Sequence, residues 1–155
     1  MKRYARDIFR KVGICLRNIF ELSSSDLKWL EDKFERYQQL DKEIAIRKEE
    51  LKIKQTDENI GGGKSNAISS PVENQVVKEL SDPYIVTRLT WKECIEQTFE
   101  ESSEDVQAII HAKYWGDQSY QSWTAIGDEH YISKTQVYRL RYDVLERFAK
   151  KIGYI

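Results

Sequence analysis

Between Trp123 and Tyr142 the chain reads WTAIGDEHYISKTQVYRLRY, and the spacing of its small and apolar residues leaves few ways to fold it. Two short helices that cross at close range need apolar side chains at the fourth, eighth, tenth, fifteenth and eighteenth places of such a segment. They also need a small residue at the fifth, where one helix passes over the other. Ile126, Ile132, Val137 and Leu140 fill all the apolar places but the eighth, which holds His130, and Gly127 stands at the fifth. Ser133 is placed to cap the second helix. Val137, Leu140, Val144, Phe148 and Ile152 then continue one apolar stripe at three-to-four spacing until Gly153. This is the pattern of a helix-turn-helix. Two residues depart from it, His130 at the eighth place and the turn residue: the turn usually holds glycine, because its backbone favours positive φ. Here the residue is Tyr131, so a differently shaped turn is expected. His130 reads as a packed or partly exposed imidazole, since no Cys or carboxylate cluster accompanies it.

Opposite the apolar stripe the second helix carries Lys134, Thr135, Gln136, Tyr138, Arg139 and Tyr142. That mixture suits a DNA major groove. Glutamine can bridge an adenine edge, arginine a guanine edge, and threonine can touch a thymine methyl. Ser133 and Lys134, beside the free N–H groups of the helix start, are candidates for a phosphate. Arg141 is a candidate for a further backbone contact. Double-stranded DNA is therefore the expected partner, although a structural corner with no DNA role fits the same spacing.

The remainder predicts an all-α chain. Two prolines and seven glycines, three of them at Gly61–Gly63, leave room for long helices, and Lys, Glu, Gln, Arg and Leu favour them. A short basic-faced helix is expected within residues 2–20. The Ser23–Asp26 cluster offers candidate caps at Ser24 or Ser25 for a long helix running to about Lys54. Leu30, Tyr37, Ile44 and Leu51 recur every seven residues, with Leu27 and Phe34 on the alternate seam, but Asp41 and Lys48 interrupt it. Residues 1–54 are thus expected to form a helical hairpin or a coiled coil that assembles the chain. Residues 55–70 read as a Gly/Ser/Asn-rich linker. Residues 71–155 read as the DNA-binding bundle, with Pro71 and Pro83 opening helices and Val72, Val76, Val77 and Leu80 as one apolar face. Operators are usually read by paired modules, so a homo-oligomer is expected.

Net charge is −1, but it is unevenly spread. Lys2, Arg3, Arg6, Arg10, Lys11 and Arg17 make one end basic, and Lys134, Arg139, Arg141, Arg147, Lys150 and Lys151 enrich the other. Two basic ends on an acidic body suit localised contact with a polyanion, and ordinary solvated faces would look the same. Cys15 and Cys94 are far apart and lack metal or redox spacing. No apolar run approaches a membrane span, and no secretory signal is legible, so a bacterial cytoplasm is expected. GGGKS invites a phosphate-loop reading, but the glycine required five places before Gly63 is Glu58, after a charged helical pattern. No spacing suggests catalysis, a metal or a cofactor.

ENIGGGKSNAISSPVENQVVKEL, followed at a distance by SWTAIGDEHYISKTQVYRLRYDVLERFAKKIGY, resembles the RinA/ArpU-type late transcriptional regulators of phages of low-GC Gram-positive bacteria. The resemblance covers roughly residues 55–153. From Pro83 onward the helical layout is also similar to region 4 of bacterial sigma factors, the part that reads promoters. The resemblance implies an activator of late packaging and virion operons that binds upstream of the promoter and touches RNA polymerase. A small terminase-like packaging subunit and a protein-interaction factor, such as an antirepressor, remain alternatives.

Overall fold

The computed structural model describes residues 21–58 and 71–155; the expectations for residues 1–20 and for most of the 55–70 stretch fall outside them. The described chain is all-α. Its helices are α1 (Ser24–Glu35), α2 (Leu40–Glu58), α3 (Pro71–Ser81), α4 (Pro83–Glu100), α5 (Glu104–Ile110), α6 (Trp123–Glu129) and α7 (Lys134–Lys151). A 3-10 turn, Tyr37–Gln39, joins α1 to α2, and a π turn, His111–Trp115, closes α5.

Helix starts follow local chemistry. The cap of α1 is Ser23, ahead of the expected Ser24 or Ser25: Ser23 accepts from the Asp26 N–H, and the Asp26 carboxylate accepts in return from the Ser23 N–H at 2.7 Å. Asp82 caps α4 ahead of Pro83. Both arrangements satisfy N–H groups that a helix start leaves without intrahelical partners.

The single long helix expected to run from Ser24 to Lys54 is not formed. The 3-10 turn rephases the chain, and the heptad positions turn inward in two directions. Leu30 and Phe34 are fully buried, with Phe34 against Phe148 of α7 and against Tyr114. Leu40 and Ile44 are buried on α2, which runs antiparallel to α4. Asp41, which interrupts the heptad, instead reaches Lys92 of α4 at 2.7 Å. The expected coiled-coil seam is therefore spent inside the chain. Further corrections concern residues 55–58, which continue α2 rather than open a linker, and the apolar face of α3, which is exposed.

One core unites α1 with α4, α5, α6 and α7. Leu22, Leu30 and Phe34 cluster with Ile95, Ile110, Ile126, Val137, Leu145 and Phe148. Burying each large aliphatic or aromatic side chain contributes about 1.5–3 kcal/mol before entropy is charged against it. The expected division between residues 1–54 and 71–155 thus does not separate two cores among the described residues. Ion pairs stitch α2 to α4 and to the end of α1: Glu43 accepts from Arg88 and from Arg36 at 2.6 Å each, and Arg47 meets Asp82 at 2.8 Å. Arg47 is pushed up, and Asp82 held down, chiefly by their mutual hydrogen bonds.

Candidate nucleic-acid interface

The crossing of α6 and α7 is built around Gly127. A Cβ at that position would stand 3.2 Å from both Cβ and Cγ1 of Val137 and 3.3 Å from the Ile132 carbonyl oxygen. Ile126 and Val137 are fully buried there, while Ile132 and Leu140 pack half-buried against the core. His130, at the eighth place, is half-buried and ends α6.

The turn has the shape a glycine would give it. Tyr131 takes φ +56° and is 97% exposed. The Tyr131 N–H donates to the Asp128 carbonyl at 3.2 Å, and the Ile132 N–H donates to the Gly127 carbonyl at 3.0 Å. These two bonds form a Schellman motif with a left-handed residue just past the helix. The expectation of a different turn is overturned, because the two bonds hold the backbone left-handed despite the bulky side chain.

Helix α7 starts on a reciprocal cap. The Ser133 hydroxyl accepts from the Gln136 N–H at 3.3 Å, and Gln136 Oε1 accepts from the Ser133 N–H at 3.0 Å and from its hydroxyl at 2.8 Å. Ser133 and Gln136 are exposed but committed to each other. Gln136 keeps its amide N–H groups free of this cap, whereas its oxygen must leave the cap before it can bridge a base.

Lys134, Thr135, Tyr138 and Arg139 are exposed on the same stretch of α7, and Tyr142 is half-buried beside them. Two shallow grooves flank this ridge. One is lined by Lys134, Thr135, Tyr138, Arg139, Tyr142 and Asp143, the other by Val106, Gln136, Arg139, Leu140, Asp143, Val144 and Arg147. Arg139 borders both. So does Asp143, a carboxylate the sequence reading overlooked at this surface, and one that repels phosphate. Tyr142 also ties the ridge to the residues just ahead of α1, its phenol oxygen accepting from the Leu22 N–H at 3.1 Å.

Arg141 does not join this face. Its guanidinium donates to both oxygens of Glu31 on α1, at 2.9 and 2.7 Å. Trp123 Nε1 and the Tyr114 hydroxyl donate to the same carboxylate, at 2.8 and 3.2 Å. Burial pushes the Glu31 carboxyl up, but these donors outweigh it and hold it below its ordinary value. Arg141 is raised, mainly by the same hydrogen bonds. The expected backbone contact from Arg141 is therefore corrected: its charge is used to fasten α7 to α1. Sequence offers no sign of this, since the partners lie 110 residues apart and Glu31 sits in no motif.

Residues 28–150 match a family described as "Protein of unknown function (DUF722)". The chain belongs to this family. The match takes in α1 to α7, short only of the first turn of α1 and the end of α7, so the Glu31–Arg141 link and the α6–α7 crossing both lie within it. No curated protein and no solved structure matches the chain. Among the described residues no group of His, Cys, Asp and Glu is arranged to hold a metal, and no helix is long and apolar enough to cross a membrane.

Proposed function

We propose that this DUF722 member is a sequence-specific DNA-binding transcription regulator whose reading element is the N-terminal half of α7. The observation that carries the proposal is the joint exposure of Lys134, Thr135, Gln136, Tyr138 and Arg139 along one ridge, while Val137 and Val144 of the same helix are buried. Donors and acceptors on such a ridge match the edges that base pairs present in the major groove. The resemblance of residues 55–153 to RinA/ArpU-type regulators supports a role in activating phage late operons from a site upstream of the promoter.

Roles divide along the ridge. Arg139 reads a guanine edge, and Gln136 offers its amide to an adenine once its oxygen is released from the cap. Lys134 neutralises a phosphate. DNA fragments selected from a random pool give the preferred site, and titrations over a salt series then separate these roles. Arg139→Ala should weaken binding to that site by about 1–3 kcal/mol and relax preference at one base pair. Lys134→Ala should lower affinity for all sequences alike and reduce the salt slope by about 0.9. Unchanged affinity in both variants would remove α7 as the reading element.

A further inference from the structure

Among the described residues Arg139 is the one arginine whose charge is uncommitted. Arg36 and Arg88 share Glu43, Arg47 meets Asp82, Arg141 meets Glu31, and Arg147 donates to the Ser102 hydroxyl at 2.9 Å. Arg139 has no hydrogen-bond or ion-pair partner among the described residues, and neither has Asp143, about one helical turn further along α7. Both are exposed, and both border the two grooves beside the reading ridge. Residues four apart on a helix are neighbours, with Cβ atoms about 5–6 Å apart. A free cation and a free carboxylate therefore stand side by side on the surface proposed to meet DNA.

We propose that Asp143 is the positioning partner that makes Arg139 select a guanine edge over a phosphate. The inference rests on the DNA-binding reading of α7 and adds to it a residue that the ridge alone does not assign. A guanidinium has more N–H donors than one guanine edge can take. Guanine engages the fork through O6 and N7, which leaves other donors to reach Asp143 on the same helix face. Cation before acid is the weaker order on a helix, so the two stay apart in the free chain. Once DNA excludes water from the groove, their attraction strengthens and fixes the fork.

The carboxylate also sets what the fork can bind. Alone, Arg139 is drawn most strongly to a phosphate, which is charged and recurs all along the duplex. Arg139 and Asp143 together carry no net charge. The carboxylate repels a phosphate and leaves the neutral acceptors of guanine open to the fork. Phosphate contacts position a protein but carry no sequence information. Keeping Arg139 off them therefore turns a general contact into one that discriminates.

Titrations of the full chain on the selected site and on a scrambled duplex of the same composition test the proposal. Asp143→Ala should raise affinity for the scrambled duplex about fivefold, the effect of removing a unit charge about 4 Å away in water. The salt slope there should steepen by about 0.9, as Arg139 gains a phosphate. The ratio of selected to scrambled affinity should fall about tenfold, within the range of one bidentate base contact. In an Arg139→Ala background the same substitution should leave that ratio unchanged, because no fork remains to be positioned. Asp143→Asn, which keeps the side chain's size, should repeat the result. Both positions are exposed, so the circular dichroism of every variant should match the wild type. A ratio indifferent to Asp143, or one that falls equally without Arg139, overturns the proposal. Arg139→Ala alone separates its failure from that of the DNA-binding reading. A preference lost with Arg139 but blind to Asp143 leaves α7 as the reading element, whereas a preference blind to both removes α7 and this pairing together.

Discussion

At Tyr131 a bulky aromatic residue holds a backbone conformation that suits glycine. The left-handed region costs an L-residue about 1–2 kcal/mol, part of which glycine gives back through its greater freedom in the unfolded chain. Tyr131→Gly should therefore stabilise the fold by about 0.5–1 kcal/mol, raising the thermal midpoint by roughly 2 °C for a chain of this size. A midpoint that stays put or falls would mean that the exposed ring makes a stabilising contact worth as much as the backbone loses. The position of this turn was legible in the spacing of Ile126, Gly127 and Val137. Its shape was not, because residue preference argued against a conformation that two backbone hydrogen bonds enforce. Gln136 teaches the same lesson from the other side. Side-chain type marked it as a base reader, and only the geometry reveals that its oxygen already closes the cap of its own helix.

At the scale of elements, α7 is held by one carboxylate as well as by its apolar stripe. Glu31 joins α1, α6, α7 and the π turn through Trp123, Arg141 and Tyr114. Its carboxyl is held below its ordinary value, so the stabilisation it supplies is complete above the ordinary carboxylate range and is lost as pH falls through the lowered value. Glu31→Gln leaves Arg141 without a counter-charge in a mostly buried position. It should cost about 2–3 kcal/mol near neutral pH, a figure reduced for the solvent that still reaches the pair. Urea unfolding of both proteins should show that difference shrinking below about pH 4, where the glutamate of the unfolded chain takes up a proton before folded Glu31 does. A difference as large at pH 3 as at pH 7 would assign the loss to packing instead. Helix identity was largely readable from caps and prolines, as Asp82-Pro83 and Ser133 illustrate. Helix partnership was not: the heptad from Leu30 to Leu51 carries the right period for a seam, and period alone cannot say that a break at Tyr37 turns it inward.

For the molecule as a whole, the apolar surfaces trade places relative to their sequence appearance. The N-terminal seam becomes core, and the face of α3 becomes surface. Residues 71–155 look self-sufficient in sequence because they hold a complete helix-turn-helix pattern and its own stripe. In the structure the floor of that bundle is Leu30 and Phe34. A fragment beginning at Pro71 would open a cavity where two large side chains stood, each worth about 2–5 kcal/mol. That is comparable to the entire stability of an ordinary domain. The fragment should give a broad, non-cooperative melt and poorly dispersed amide resonances, whereas residues 21–155 should melt in one transition. A sharply melting 71–155 fragment would refute a shared core.

Arg141 carries a practical consequence for anyone wishing to re-target this chain. It sits in the very stretch that a designer would transplant to build a chimera, between the exposed Arg139 and the half-buried Tyr142. Grafted onto a foreign scaffold, it would arrive as an orphaned cation, because its carboxylate belongs to a helix more than a hundred positions upstream. New specificities are better sought by altering Lys134, Thr135 and Arg139 in place, leaving the inherited anchor untouched.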